Sequence, residues 1–470
     1  MSKVSSKKIL ENCEVVDIAD KGKSVAKSQS GRTVFLENAV PGDIVDVIIN
    51  RKRKGAYFGK ILKFNVKSIK RIEPVCEHFG ICGGCKWQNM NYNSQLFYKE
   101  RRVHENLYRI GKIKPKKILP ILGSKNIYYY RNKMEYSFSN NRWLTESEIN
   151  SKKKFSKEAL GLHKKGRWDK VVDIKKCHLQ DNISNKIRNE IKRFAIEKRI
   201  DFFDPYKNKG LLRNLIIKTT STKKIMVLVQ FGCQSDLIYE VLNFLKNSFK
   251  NINSIVYVVN LKSNDSIYDQ DINLFYGKDY IIEKICGLSF KISAKTFFQT
   301  NSTQAKQLFY LVKKFLEPNK EDILYDLYTG IGTIGQILSK NVKKVVGIDI
   351  VEDSIKYATE NSKLNNLSNT KYFAGDMKNV FTTQFIEENG KPSVSIVNPP
   401  REGIDKKVIE KIIDIQPKKI VYVSCNSSTL ARDLVIFEKK YEISKLQTVD
   451  MFPHTSHVEN VVLLKKLIDA

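Results

Sequence analysis

The pattern of apolar and polar positions changes character twice along the chain. From residue 9 to about 66 it alternates in short runs separated by turns. Segments 14–18, Thr33–Leu36, 44–49 and 57–64 are strand-like, with Pro41-Gly42-Asp43 as a turn signal. Short strands at this spacing predict a small β-barrel over 1–66. A helical period follows (Tyr92, Gln95, Leu96, Lys99, Val103, Leu107), which Pro115 and Pro120 are expected to end. Period two returns at 134–138, segment 145–158 reads as a polar surface loop, and apolar strands resume at 215–218, 225–229 and 255–261. Residues 67–285 therefore read as an α+β domain. From 286 strands and helices alternate, as in a parallel doubly wound sheet, so the fold class is α/β. An amphipathic helix over 302–317 precedes strands Ile323–Leu327, 344–348, Thr370–Ala374, Val394–Val397 and 421–423. Segments 443–449 and 458–465 predict a final antiparallel pair.

Charge adds a partner to this picture. Lys and Arg number 82 against 50 Asp and Glu, a formal net charge of +32, so a polyanion is the first expectation. No apolar run of about 18 residues is present to span a membrane, and the first eight residues are polar and basic. The expected location is the cytoplasm, where eight cysteines suit metal ligation, catalysis or a core better than disulfides. In the barrel, Arg51-Lys52-Arg53-Lys54 beside Tyr57 and Phe58 suits phosphate contact with base stacking, or a solvated hairpin. Tyr128-Tyr129-Tyr130-Arg131-Asn132-Lys133 mixes aromatics and cations in the same way.

Three places carry candidate chemistry. The first is Cys76-x5-Cys82-Gly83-Gly84-Cys85, where glycines let backbone amides face sulfur. Cys177 is a fourth candidate, and spacing alone leaves zinc and iron–sulfur open. The second is the turn Asp326-Leu327-Tyr328-Thr329-Gly330-Ile331-Gly332, with Asp349 nineteen residues after Gly330, where an acidic side chain holds a ribose. The turn is read as a site for S-adenosylmethionine rather than a dinucleotide, although Gly335 completes the Gly330-x-Gly332-x-x-Gly335 spacing that a pyrophosphate also uses. Gly375-Asp376 ends the next strand, suited to an adenine amino group, and Asn398-Pro399-Pro400-Arg401 forms a stiff loop after the one following. The third is Cys425, at the end of strand 421–423, where open α/β sheets place their chemistry. On position alone Cys425 reads first as a small buried hydrophobe, and the rest of the chain reverses that order.

Taken together, these motifs resemble the RumA/TrmA-type RNA uracil-5 methyltransferases, most closely the TRAM-containing bacterial 23S rRNA branch. The resemblance rests on the cysteine run, Phe298-Gln299-Thr300-Asn301, the glycine turn, the proline loop, Ser424-Cys425-Asn426 and the His-rich stretch 452–459, in the expected order along nearly the whole chain. It implies a class I S-adenosylmethionine-dependent methyltransferase domain over 286–470. It also implies a TRAM/OB-like RNA-binding barrel over 1–66, and a [4Fe-4S] cluster on Cys76, Cys82, Cys85 and Cys177 within the central domain. By the same resemblance Gln299, Tyr328, Thr333, Asp349, Asp376 and Asn398 hold the cofactor, Cys425 is the nucleophile, and Glu459 removes the carbon-5 proton. The partner implied is RNA, 23S rRNA ahead of tRNA, for a protein expected to be monomeric.

Uracil suits these residue types. Its carbon-5 is a poor nucleophile, but a thiolate adding at carbon-6 makes an enolate that can accept a methyl group. A carboxylate must then remove the carbon-5 proton. Without the resemblance, Asp450 competes with Glu459 for that role. Two positions depart from the family: Asn398 stands where Asp is usual, keeping a hydrogen-bonding edge without a charge, and Thr333 stands where Asn occurs. The competing readings are an N-methyltransferase working through Asn398-Pro399-Pro400, and a non-catalytic RNA-binding protein.

Overall fold

The structure, a computed structural model, describes residues 8–151 and 153–467. Strands Ile9–Ile18, Ser24–Lys27, Thr33–Leu36, Ile44–Arg53 and Ala56–Val66 close into a five-stranded barrel. Alternation turns Val15, Ala26, Val34, Leu36, Val45 and Val47 inward to form its core. Gly59 permits the tight crossing of strands Ile44–Arg53 and Ala56–Val66, since a Cβ there would lie 2.3 Å from Val47.

The central segment builds a seven-stranded sheet in the order Asn273–Gly277, Ser254–Val259, Ile225–Phe231, Leu212–Thr219, Lys133–Ser139, Ala159–His163, Val171–Asp173. Ile187, Ile191 and Ala195 of helix Asn182–Glu197, with Val241, Leu242 and Leu245 of Leu237–Ser248, share a core with one face of this sheet. Ile216, Met226 and Leu228 on the other face share a core with Phe290, Phe298 and Phe309 of the C-terminal segment. Covered on both faces, strands 212–219 and 225–231 are buried along nearly their whole length, which is why 225–231 is almost continuously apolar, while 212–219 also buries Arg213, Asn214 and Lys218.

The C-terminal sheet has eight strands in the order Thr370–Ala374, Lys344–Asp349, Ile323–Leu327, Val394–Val397, Lys419–Ser424, Glu459–Lys466, Tyr441–Val449, Lys117–Leu122. The first five are parallel, and Glu459–Lys466 runs antiparallel to both neighbours. Strand order reverses between Ile323–Leu327 and Val394–Val397, which opens a crevice at their carboxyl ends. The doubly wound sheet and its closing antiparallel pair are as the sequence pattern predicts.

Two local expectations are corrected. The helical period after residue 86 forms helix Tyr92–Asn106, extended to Gly111, where left-handed Lys112 stops it before either proline. Pro120 instead lies in the outermost strand of the C-terminal sheet, an edge position that tolerates a missing N–H. The polar segment 145–158 contains a short helix, Glu146–Asn150, because Thr145 and Glu148 form a capping box. Among the described residues no helix is long and apolar enough to cross a membrane.

Candidate active site

The crevice at the strand reversal gathers most of the residues expected to hold a cofactor. Tyr328, Gly330 and Gly332 all have positive φ (62°, 56° and 76°), which folds the chain back over the strand end. Asp349 fixes this turn, accepting the Gly330 amide at 2.8 Å and the Val351 amide at 3.0 Å. Below it, buried Asp326 accepts Thr329 Oγ1 at 2.7 Å and the Gly335 amide at 2.9 Å, and burial pushes its carboxyl up to about 6. The Tyr328 phenol is held neutral by burial and by the surrounding carboxylates of Asp405, Asp376, Asp433 and Asp349. Asn398 ends the adjacent strand and donates its amide to Leu327 at 3.2 Å, next to Tyr328. Thr333 opens the helix after Gly332. Gln299 is buried, its carbonyl accepting Asn132 Nδ2 at 3.0 Å. Among the described residues the side chains of Gln299, Tyr328, Thr333 and Asn398 make no hydrogen bond within the protein, so their polar ends remain available to a bound molecule.

Two strands over, antiparallel register sets the second half of the site. Ser424 pairs with Asn460, so the next position brings Cys425 opposite Glu459. Cys425 sits at a strand end just before Asn426, which caps helix Ser427–Phe437 by accepting the Ser428 amide at 3.1 Å. Asn426 Nδ2 and Thr429 Oγ1 also donate to the Arg401 carbonyl at 3.0 and 3.1 Å, which fixes Arg401 over this helix end. Burial pushes the Cys425 thiol up to about 11, with neighbouring Glu459 adding to the rise. Arg401, by charge and by a hydrogen bond, pulls it down. Glu459 is 6% exposed, and burial pushes its carboxyl up to about 8 against the opposing pull of Arg401. A half-buried thiol, a buried carboxyl and an exposed guanidinium thus meet beside a helix N-terminus, and a positive neighbour and a helix start both favour a thiolate.

Asp450 is occupied elsewhere. It forms a fully buried ion pair with Lys99 at 2.6 Å and accepts Tyr92 Oη at 2.9 Å. Arg401 escaped the sequence reading as a partner of the thiol, and its signal was only its place at the end of the proline loop.

The four cysteines Cys76, Cys82, Cys85 and Cys177 lie near enough to influence one another's charge. Burial pushes the Cys82 and Cys85 thiols up to about 12, each neighbouring thiol adding to the rise. The Gly84 amide donates to Cys82 Sγ at 3.3 Å, and a Cβ on Gly83 would lie 2.9 Å from the His163 carbonyl, so the loop needs glycine at 83. Among the described residues no group of three or more Cys, His, Asp or Glu is close enough together to hold a metal ion, so the ligand set expected from the sequence is a neighbourhood of thiols here.

Surfaces suited to nucleic acid are present in two places. On the barrel Phe35 and Phe58 stack at 5.2 Å, with the Arg51 guanidinium 4.4 Å from the Phe58 ring centre. A cavity of about 310 Å³ opens beside Gln299, lined by Arg131, Lys133, Phe297, Phe298 and Thr300.

The family model described as tRNA (Uracil-5-)-methyltransferase matches residues 268–467. An uncharacterized RNA methyltransferase of Bacteroides thetaiotaomicron is 44% identical over 95% of this chain and 100% of its own length. Another, from Porphyromonas gingivalis, is 43% identical over 96% of this chain and 99% of its own. Among solved structures, the Pyrococcus abyssi tRNA (uracil-54, C5)-methyltransferase in complex with S-adenosyl-L-homocysteine superposes with a TM-score of 0.75. It is 28% identical and covers 96% of this chain and 99% of that one. With this identity along its length and this fold, the chain belongs to the tRNA (uracil-5-)-methyltransferase family and is an S-adenosylmethionine-dependent RNA (uracil-5-)-methyltransferase.

Proposed function

We propose that Cys425 and Glu459 carry out methylation at carbon-5 of a uridine in 23S rRNA, in the cytoplasm. The observation that carries this reading is the nearness of Cys425 and Glu459, one step beyond the Ser424–Asn460 pair, with Arg401 acting on both. The Cys425 thiolate adds to carbon-6 and the electron pair moves to the uracil oxygen as an enolate. Arg401 offsets the negative charge at this corner. S-adenosylmethionine supplies the electrophilic methyl group for carbon-5, with Gln299, Tyr328, Thr333, Asp349, Asp376 and Asn398 as the residues that would hold it. Glu459 then takes the carbon-5 proton, the carbon–sulfur bond breaks, and the Cys425 thiolate leaves. Asn398 contributes hydrogen bonds where a carboxylate is usual in the family, so this position is neutral.

The barrel is read as a TRAM-type RNA-binding module on the strength of its basic turn and the Phe35–Phe58–Arg51 stack, and it favours rRNA. A [4Fe-4S] cluster on Cys76, Cys82, Cys85 and Cys177 is part of this reading: Cys177 lies near enough to raise the other three thiols and an amide faces one sulfur, and the four sulfurs would have to draw together to hold it. A second reading, uridine 54 of tRNA, is favoured by the likeness to the Pyrococcus abyssi enzyme.

RNA carrying 5-fluorouridine tests the chemistry, because fluorine at carbon-5 blocks the last proton removal and traps the thiol adduct. A covalent complex that requires both S-adenosylmethionine and Cys425 supports the reading. Trapping by Cys425→Ala assigns the adduct to another nucleophile and overturns the reading, whereas full methylation by Cys425→Ala without trapping overturns it in favour of direct transfer at Asn398-Pro399-Pro400. Mapping 5-methyluridine in rRNA and tRNA from cells with and without the gene decides the target.

A further inference from the structure

The loop 450–458 joins the paired residues Val449 and Glu459, so its shape sets where Glu459 begins. Its carbonyl groups are held almost one by one by donors from distant segments. Asn301 Nδ2 donates to Met451 at 3.0 Å, Lys99 Nζ to Phe452 at 3.1 Å, and Tyr130 Oη to Pro453 at 3.0 Å. The amides of Lys86 and Trp87 both donate to His454 at 2.8 and 3.1 Å, and Arg102 donates to Ser456. The loop also gives: the His454 amide donates to Gln95 Oε1 at 2.9 Å. His454 itself has φ 64°, and Tyr128 stacks on its ring at 4.4 Å.

Helix Tyr92–Asn106 supplies three of these partners from one stripe, and a fourth contact from Tyr92 to the Asp450 carboxylate. Tyr92, Gln95, Lys99 and Arg102 follow at intervals of three, four and three, so they line a single face. The Lys99–Asp450 pair is fully buried at both ends. Replacing such a pair by apolar groups of similar shape is often neutral for stability, so stability alone is a weak reason for its presence. What it does here is fix the first residue of the loop, with Phe452 as a second acceptor on the same ammonium.

We infer that helix Tyr92–Asn106 is the positioning element for the general base: Lys99, Gln95 and Arg102, with Tyr130, clamp loop 450–458 so that Glu459 faces the carbon-5 proton of the adduct. None of these residues touches the thiol or the cofactor crevice. Their effect is therefore on the last step, proton removal, and not on thiol addition. This inference rests on the role proposed for Glu459.

The test uses the full chain in two variants. Lys99→Met/Asp450→Asn removes both charges together, leaving no buried ion unpaired. Tyr130→Phe removes only the donor to Pro453 and keeps the fold even if the double variant does not. Each is mixed with S-adenosylmethionine carrying a labelled methyl group and ordinary uridine RNA. The expected result is at least tenfold more labelled covalent protein–RNA complex than wild type for the double variant, and about threefold more for Tyr130→Phe. Trapping on 5-fluorouridine RNA, which needs the thiol but no base, should stay within twofold of wild type. Product release at the wild-type rate in both variants overturns the inference, and so does a parallel fall in trapping and release, which marks a purely structural role. Failure of Glu459→Gln to accumulate the complex instead strikes the base assignment itself, so the two failures are read separately.

Discussion

Replacing Glu459 by Gln should make the protein more stable at neutral pH while preventing completion of the reaction. The carboxyl is pushed up to about 8 from an ordinary 4.5, burial being the main cause. Below pH 4.5 it is protonated whether the chain is folded or not, and folding carries no penalty from it. As pH rises above 4.5 the unfolded chain ionises first, so stability is lost steadily until the folded carboxyl also ionises near 8, and the loss then levels off. At about 1.4 kcal/mol for each pH unit, the loss is roughly 3 kcal/mol at pH 7 and approaches 4–5 kcal/mol above pH 8.5. Gln resembles the protonated acid in shape and carries no such penalty. Paired urea and thermal melts of wild type and Glu459→Gln at pH 5, 7 and 8.5 should therefore diverge, the variant gaining ground as pH rises. The same variant should accumulate methyl-labelled covalent complex with ordinary uridine RNA. Melting curves that keep a constant separation across this range would refute the reasoning, because the carboxylate would then not be costly to bury.

Three further outcomes follow from the geometry. Arg401→Met removes a cation that acts on both Cys425 and Glu459, so both groups should ionise at higher pH. The alkaline-rising limb of kcat/KM should move up by about one pH unit, with activity recovering toward pH 9, and an unmoved limb rejects the electrostatic role. Asp349→Ala loses the acceptor for the Gly330 and Val351 amides as well as the proposed ribose contact, so S-adenosylmethionine affinity should fall by about 1.5–3 kcal/mol in calorimetry, and wild-type affinity would reject the assignment. Replacing Arg51, Lys52, Arg53 and Lys54 together by Ala should lower the log–log salt slope of RNA binding by about 0.7 for every cation that reaches a phosphate, and an unchanged slope means that the barrel turn does not touch RNA.

What the sequence revealed and what it hid follow from the range of the interactions involved. The doubly wound sheet is written in local apolar runs, so strands Ile323–Leu327 to Lys419–Ser424 and the glycine turn could be read directly. The place of Cys425 at a strand end was legible for the same reason. The bond from Asp349 to the Gly330 amide spans only nineteen residues and joins adjacent strands. The Lys99–Asp450 pair spans 351 residues, and no local pattern on either segment announces it. Its absence from the sequence reading left Asp450 as a rival base, whereas its carboxylate is already committed to Lys99 and Tyr92. Strand Lys117–Leu122 was hidden by Pro120, which argues against a strand unless the edge position is known beforehand.

The pairing of Cys425 with Glu459 also constrains the order of events. Two anions at adjacent positions beside a single guanidinium are unfavourable together, and each raises the cost of ionising the other. The reaction never requires both. The thiolate's charge passes to the uracil enolate and is cancelled when carbon-5 is methylated; Glu459 then gives up its own proton to solvent, the one net proton the reaction releases, and becomes the anion that takes the carbon-5 proton. When it accepts the carbon-5 proton, the departing thiolate regains the negative charge, again as the only one beside Arg401. A corner with one cation thus matches chemistry that carries one negative charge at a time. The thiol and the carboxyl should accordingly titrate as a coupled pair, the first proton leaving near 8 and the second near 11, with kcat/KM rising through the first ionisation and level until the second.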